Sequence, residues 1–415
     1  MAQRVIIIGA GIVGVSAGIW LRRYGVDVTL VDRAAPGQGT SYGNAGVLAA
    51  CSMVPVTAPG LISKAPGFLA NPDFPLFLRW AYLPKLAPWL MRYLRHANDA
   101  DTRRIAVGLT PIVADAVEQH KSLTDGTAAA AWVQDSDYHF AYRSRVDFDA
   151  DAYTWALRRE AGFVPQLREG AEVQAVEPNL SSAIGCLATV KDHGFIRDPG
   201  GYVAALAKVF AQLGGQIRTA EVVDVDLQGG RITGLITTQG VMPCDTAVLA
   251  SGVWSAPLMK KLGATVPMES ERGYHIVFED AENAAIAPTM VASGKFVATP
   301  MAAGLRCAGV VEFGGLKAGP SKAPFTLLRR QVREAFPALT HGREVEWMGH
   351  RPAPADSLPL IGEIGQTGVL SAFGHHHIGL TGGPKTGRLV AGIIAGRDPN
   401  MDMRPYSPNR FGARK

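Results

Sequence analysis

Gly9, Gly11 and Gly14 stand in the spacing G-x-G-x-x-G, and Asp32 follows some distance on, in a chain of 415 residues. These residue types at this spacing can hold a dinucleotide. Gly9 permits a tight turn, Gly11 lets the backbone approach a pyrophosphate, and Gly14 lets a following helix lie close on a strand. The free N–H groups and positive dipole end of that helix attract the pyrophosphate charge. Asp32 stands where an acid accepts a hydrogen bond from a ribose hydroxyl. The binding set read here is Gly9, Ala10, Gly11, Ile12, Val13 and Gly14, with Asp32 and Arg33. Beyond it, Gln38 to Gly46 gathers small and hydroxyl residues, with Thr40, Ser41 and Asn44 as phosphate or ribose donors. His375, His376 and His377 suggest a metal at first sight. Three adjacent histidines in a turn cannot all face one ion, and no acid or cysteine cluster accompanies them, so no metal is expected.

The elements that must position these residues are legible around them. Val5 to Ile8 is a short β-branched run suited to a fully buried strand. A helical stretch runs from Ile12 to Tyr24, Gly25 stands at its C-cap position, and Val26 to Val31 reads as a second parallel strand. Phe74 to His96 has apolar residues at helical spacing interrupted by Pro84 and Pro88, which predicts two short amphipathic helices. Arg103 to Ser122 reads as one helix, Ala131 to Ser144 as strand, and the stretch from Phe148 as a helix with acids near its start. Glu172 to Leu180 reads as a turn into an edge segment, and Gly201 to Leu213 as a helix. A β-meander follows, with turns at Gly214-Gly215, Gly229-Gly230 and Gln239-Gly240. Ala247 to Ala250 is a second short apolar strand, ended by Ser251-Gly252 and followed by a helix. Glu269 to Asp280 and the hairpin Ala298 to Gly315 are strand-like, and Phe325 to Phe336 is a surface helix.

Composition bounds the rest. The chain is 47% hydrophobic and 19% charged, with 47 glycines and 27 prolines, as a turn-rich α/β enzyme would be, and its length predicts two domains or one elaborated domain. The net charge of +5 is spread along the chain, and no basic run of nucleic-acid type occurs. Cys51, Cys186, Cys244 and Cys307 lie far apart and read as ordinary reduced thiols. No leader pattern precedes Val5 and no stretch is long enough to span a bilayer, so a cytoplasmic location is expected. The basic, aromatic-rich segment from Phe74 to His96 has two readings: helices covering a substrate site, or a surface in peripheral contact with the inner face of a membrane.

Four separated blocks resemble the D-amino-acid oxidase/dehydrogenase superfamily of flavoenzymes. The first is the opening fingerprint with the loop ending in Asn44-Ala45-Gly46-Val47. The second, Cys244 to Gly263, resembles the strand and Ala-Thr/Ser-Gly turn that passes beneath FAD in that superfamily. The third comprises Gly273-Tyr274 and Glu312 to Gly314. The last, Gly349 to Ile364 with Val369 to Gly396, resembles the superfamily's Arg-Pro-x-x-x-Asp-x-x-Pro-x-Ile-Gly line and closing Gly-His-x-x-x-Gly-x-Thr strand-turn-helix. The resemblance implies an α/β fold: a discontinuous Rossmann-like FAD-binding domain (1–56, 145–265 and 345–415) plus an α+β substrate domain (57–144 and 266–344) with a mixed or antiparallel sheet. It places Val222 and Val223 at the adenine and Ser251 and Gly252 under the FAD. Gly379, Leu380 and Thr381 fall at the flavin pyrimidine edge. A return of the chain to the nucleotide after the second domain favours FAD over NAD, and the absence of cysteine from 349–396 favours non-covalent attachment.

The activity this implies is oxidation of a D-amino acid, of the D-amino-acid dehydrogenase type. Hydride leaves Cα for flavin N5, an imine is hydrolysed to a keto acid, and electrons pass to a quinone or other acceptor. Cyclic imino acids such as D-proline or hydroxy-D-proline fit the same chemistry. Oxidation of glycine, sarcosine or an opine-type secondary amine with O2 is the alternative, and a flavin-binding subunit that needs a partner is an alternative of another class. The substrate carboxylate calls for an arginine with a tyrosine hydroxyl. The catalytic set is Arg351, Tyr274 and His377, with Arg306 and His275 as substrate-binding residues. One departure from the superfamily stands at Thr299-Pro300-Met301, where several amino-acid oxidases carry an arginine after the proline. Oligomeric state is open.

Overall fold

The computed structural model describes residues 3–63, 67, 71 and 73–412. The β-branched run at the start becomes the strand Arg4–Ile8, buried after its first residue at the centre of a six-stranded sheet. Its neighbours are Asp27–Asp32 on one side and Thr246–Leu249 on the other, both parallel, with Ile8 opposite Val31 and Leu249. Val369–Phe373 continues the sheet in parallel, Leu360–Glu363 closes that edge antiparallel, and Gln216–Thr219 closes the other edge. The two strand-turn segments read from the sequence therefore lie side by side.

The helix Ile12–Arg23 is apolar nearly all round, as a helix covered on every side must be. It lies between the sheet and the helices Gly379–Ile394 and Pro199–Gln212. Small residues let these helices approach. A Cβ on Gly387 would meet the Ala17 backbone nitrogen at 2.6 Å, and one on Gly18 would meet the Phe210 ring at 2.9 Å. This core joins the first and last segments of the chain.

A second sheet of ten strands carries the other layer. Its path runs Glu344–Pro354, Met268–Glu279, Gly304–Phe313, Phe296–Met301, Thr289–Val291, Val133–Tyr142, Cys186–Ile196, Val47–Leu48. Leu76–Leu78 lies beside Gly304–Phe313, and Gln166–Glu169 beside Cys186–Ile196. One face packs on the helix Lys322–Ala335 through Tyr274, Ile276, Leu328 and Val332. The opposite face looks toward the first sheet. The strands at 166–196 pair here, although the expected division groups 145–265 with the nucleotide-binding part. The meander Val222–Gln228, Arg231–Thr237, Gly240–Pro243 forms a third, three-stranded sheet.

Several expected elements differ. Phe74 to His96 holds one helix, Leu83–Arg95, preceded by a short strand and a 3-10 turn. Pro84 falls in the first turn, where no N–H partner is required, and Pro88 removes a single bond from a helix fixed by packing of Leu86, Trp89 and Tyr93. The stretch around Arg103 to Ser122 is two helices, Asp99–Val113 and Ala116–Thr124. That from Phe148 is also split, into Arg145–Ala150 and Ala152–Glu160. Glu172 to Leu180 begins with a short helix, Ala171–Val176. Among the described residues no helix is long and apolar enough to cross a membrane. The Leu83–Arg95 helix turns its aromatic side inward, with Trp89 Nε1 donating to the Ala353 carbonyl at 2.9 Å.

Candidate functional site

The glycine turn is shaped by contacts that leave no room for a side chain. Gly9 has φ +111°, and a Cβ there would stand 2.6 Å from the Ala250 carbonyl oxygen of the neighbouring strand. A Cβ on Gly14 would stand 1.9 Å from the Gly9 oxygen, so Gly14 sets how close the helix lies to the turn. Gly11 caps the helix without a side chain of its own, and the Ser41 hydroxyl accepts from the Ile12 N–H at 3.0 Å. Asp32 accepts from the Ala10 N–H at 2.7 Å and the Ala34 N–H at 3.0 Å, which ties the second strand's end to the turn.

These groups line one end of a cavity of about 830 Å³. Ala10, Gly11, Ile12, Val13 and Asp32 form the turn side, and Arg33 lies 4.4 Å over the Trp254 ring beside them. Val222, Val223, Ser251 and Gly252 line the same end. The loop from Thr40 to Val47 forms the roof. Thr40 donates to the His350 carbonyl at 2.9 Å, Asn44 Oδ1 accepts from the Gly46 N–H at 2.9 Å, and Asn44 Nδ2 reaches the His377 carbonyl at 3.4 Å. Ala45 and Val47 face the cavity, while Gly46, at φ +81°, makes the turn between them. Gly379, Leu380 and Thr381, the first turn of the last long helix, close the far side, and Thr381 donates to the Val47 carbonyl at 3.2 Å. Two helix N-termini thus point into one elongated space, the arrangement a dinucleotide with an anionic ring system requires.

The rest of the cavity lies on the inner face of the ten-stranded sheet. Arg351 and Glu271 are cross-strand partners there. Arg351 Nη1 donates to Glu271 Oε1 at 2.8 Å. The guanidinium lies flat on the neighbouring strand because residue 273 is glycine; a Cβ there would stand 2.6 Å from Arg351 Cζ. Glu271 Oε2 is 3.2 Å from His376 Nδ1, whose ring rests on Tyr93, and the other ring nitrogen faces the Pro354 carbonyl at 3.3 Å. Burial opposes the charge on Glu271, but the hydrogen bond from His376 and the Arg351 charge outweigh it and hold the carboxyl far below the usual carboxylate range. His377 is exposed on the cavity, and what desolvation it meets there lowers its imidazole, which favours the neutral form.

Three expected site residues are turned away. Tyr274 follows a residue that faces the cavity, so the period of two sends it to the opposite face. Its hydroxyl donates to Glu312 at 2.6 Å and accepts from the Ser321 N–H at 3.0 Å. His275, next to a bulge, is stacked 5.1 Å from the Trp347 ring and bonds the Gly43 carbonyl at 3.0 Å; burial first, then the Arg306 charge, push it down to about 3. Arg306 donates to the Tyr42 and Asn44 carbonyls at 2.9 and 2.8 Å, and burial lowers it to about 10. Both His275 and Arg306 shape the roof loop rather than line the cavity. Glu271, His376 and Arg158 were not foreseen. The glycine at 273 was the one available signal for Glu271, since two residues apart on a strand share a face. None of the four cysteines lines the cavity, and no cluster among the described residues could hold a metal.

Comparison with known proteins agrees with this geometry. A family model described as FAD-dependent oxidoreductase (DAO) matches residues 4–393. A D-amino-acid oxidase of Bradyrhizobium diazoefficiens is 37% identical over 99% of both chains. D-amino acid dehydrogenase 2 of Pseudomonas aeruginosa is 31% identical, covering 98% of this chain and 99% of its own. The crystal structure of glycine oxidase from Geobacillus kaustophilus superposes with a TM-score of 0.73 at 21% identity over 99% of each chain.

Proposed function

We propose, for a chain that belongs to the DAO family of FAD-dependent oxidoreductases, that it oxidises a D-amino acid at Cα. FAD is its cofactor, and FAD bound in the cavity would accept the hydride. The residues present fit it: the glycine turn and Asp32 at one end, the Gly379 helix start at the other, and the cavity joining them. The observation that carries the proposal is Arg351, a guanidinium on the same cavity's sheet face whose nitrogens beyond Nη1 make no hydrogen bond among the described residues.

The chain's own part is to bind and orient. Arg351 takes the substrate carboxylate through those remaining nitrogens, while Glu271 keeps the guanidinium in place. His377, neutral, accepts a hydrogen bond from the amine and turns Cα toward the cofactor. The amine must reach the reacting position uncharged, and the cations of the cavity favour that form by disfavouring an ammonium. The imine then adds water and yields a keto acid, releasing its nitrogen as ammonia, or as a primary amine where the substrate nitrogen is substituted.

The acceptor is the finer part of the reading. Resemblance to dehydrogenases supports a quinone, and the oxidase name of the 37% identical relative supports O2. The test follows flavin absorbance of the anaerobic holoenzyme on addition of D-amino acids, D-proline, hydroxy-D-proline, glycine and sarcosine. Bleaching by D-amino acids and not by their L-forms is expected. Bleaching by glycine and sarcosine alone would overturn the D-amino-acid reading. Reoxidation by air or by a quinone analogue then identifies the acceptor.

A further inference from the structure

Away from Arg351, the same cavity carries two cations with no acid to balance them. Arg158, on the helix Ala152–Glu160, lines the cavity with its guanidinium 4.7 Å from both the Phe140 and Trp155 ring centroids. Its Nε makes one long bond, 3.4 Å, to the Cys51 carbonyl, and its Nη1 is buried with no hydrogen-bond partner. It forms no ion pair among the described residues. Lys295, exposed on the turn between Thr289–Val291 and Phe296–Met301, lines the cavity too and is likewise unpaired. The carboxylates of the cavity are accounted for elsewhere. Asp32 and Glu221 sit at the nucleotide end, and Glu271 is engaged by Arg351 and His376.

A half-buried guanidinium held by aromatic packing rather than by an acid is costly until an anion meets it. The packing also fixes its plane, so little side-chain freedom is lost when a carboxylate binds. The carboxylate that Arg351 takes leaves Arg158 and Lys295 still unbalanced.

We propose that the substrate carries a second carboxylate, received by Arg158 with Lys295 while Arg351 holds the first. This rests on the amine-oxidation reading above and narrows its substrate class. The second carboxylate can be borne on the side chain, as in an acidic D-amino acid, or on the nitrogen, as in an N-carboxyalkyl amine. The chemistry at Cα is unchanged, so no further reactant is needed.

The test uses the holoenzyme with excess electron acceptor and compares acids with their neutral isosteres. kcat/KM for D-glutamate over D-glutamine, and for D-aspartate over D-asparagine, is expected to reach about 10 or more, the range of a charge-assisted hydrogen bond. Iminodiacetate is the nitrogen-borne arm, and activity there above that on sarcosine assigns the second carboxylate to the nitrogen. Arg158→Met should bring the acid-to-amide ratio near one, and Arg158→Lys should recover part of it. Glutarate, which cannot react, should perturb the flavin spectrum of the wild type and not that of Arg158→Met. If Arg158→Met melts before assay, Lys295→Met and Arg158→Lys carry the same comparison, each with a reduced ratio expected. Ready oxidation of D-glutamine with a ratio of one or less, and none of iminodiacetate, would overturn the proposal and leave D-amino-acid oxidation standing. Survival of the ratio in Arg158→Met would overturn it as well. Failure of every amine to bleach the flavin would instead sink the underlying reading, which glutarate binding alone would not rescue.

Discussion

Arg351 enters the cavity already bonded, and that fact separates two roles that sequence alone merges. In the proposed reading the arginine takes the substrate carboxylate, and Glu271, bonded to Arg351 Nη1, holds the arginine. Arg351→Met should keep the bound flavin's absorbance and raise KM for a D-amino acid about 10- to 100-fold, the worth of a charge-assisted bond. An unchanged KM would remove it from the clamp. Glu271→Gln should raise KM less and lower the melting temperature more, because it leaves Arg351 and His376 facing each other without an anion. Tyr274→Phe should leave KM alone and cost only stability, through the Glu312 network. The place of Arg351 on the cavity was legible because it stands in a motif with fixed spacing. Tyr274 was misassigned because a motif names a neighbourhood, while strand pleating decides which of two adjacent residues faces the ligand. His275 and Arg306 reach the right region but bond the backbone of the roof loop through Nδ1 and Nη1, leaving His275 Nε2 and Arg306 Nε buried without a partner among the described residues. Arg158 has no motif at all; it reaches the cavity only because the Ala152–Glu160 helix happens to pass beside the inner sheet.

At the scale of elements, the glycines of the last long helix do different work according to position. Gly387→Ala would drive a Cβ into the Ala17 backbone at 2.6 Å, whereas the nearest atom to a Cβ on Gly392 is 3.8 Å away. The first substitution should destabilise the protein by about 1–3 kcal/mol, as overpacking does. The second should stabilise it by up to about 1 kcal/mol, the helix preference for alanine. Thermal melts of the two variants check this pair, and equal shifts would show that close approach of the Ile12–Arg23 helix is not what residue 387 serves. Elements whose apolar period and flanking glycines agreed, such as the first strand and helix, were read correctly. The Phe74 to His96 segment was not, because Pro84 marks a helix's first turn as well as a helix's end. The break between Val113 and Ala116 has no proline or glycine between the two helices, and Pro111, two residues before the first helix ends, was the one local signal of it.

For the whole molecule, buried histidines set an acid limit. Burial pushes His120, His139 and His375 down to about 4 and His275 to about 3. The unfolded chain protonates these four near pH 6.5 while the folded chain does not, so stability is lost as pH falls from about 6.5 toward 4. Glu177, fully buried and raised to about 7 by desolvation, works the other way, because the folded state takes up its proton first. The histidines outnumber it. The unfolding free energy should therefore fall with acidification, at up to about 1.4 kcal/mol per pH unit for each net proton. A melting temperature that is flat or rises from pH 6.5 to 4.5 would contradict this. The central strand has a consequence in time rather than energy. Ile8 lies between Val31 and Leu249, and the far neighbour of Leu249 is Ser371. A ribosome adding about 5–20 residues per second delivers the first strand tens of seconds before its second partner. During that interval one of the most apolar segments of the chain waits with an open edge, while the helix that closes the cofactor cavity is not yet made. Slowing synthesis should lengthen that exposure and lower the yield of folded protein, and chaperones that shield nascent edges should restore it.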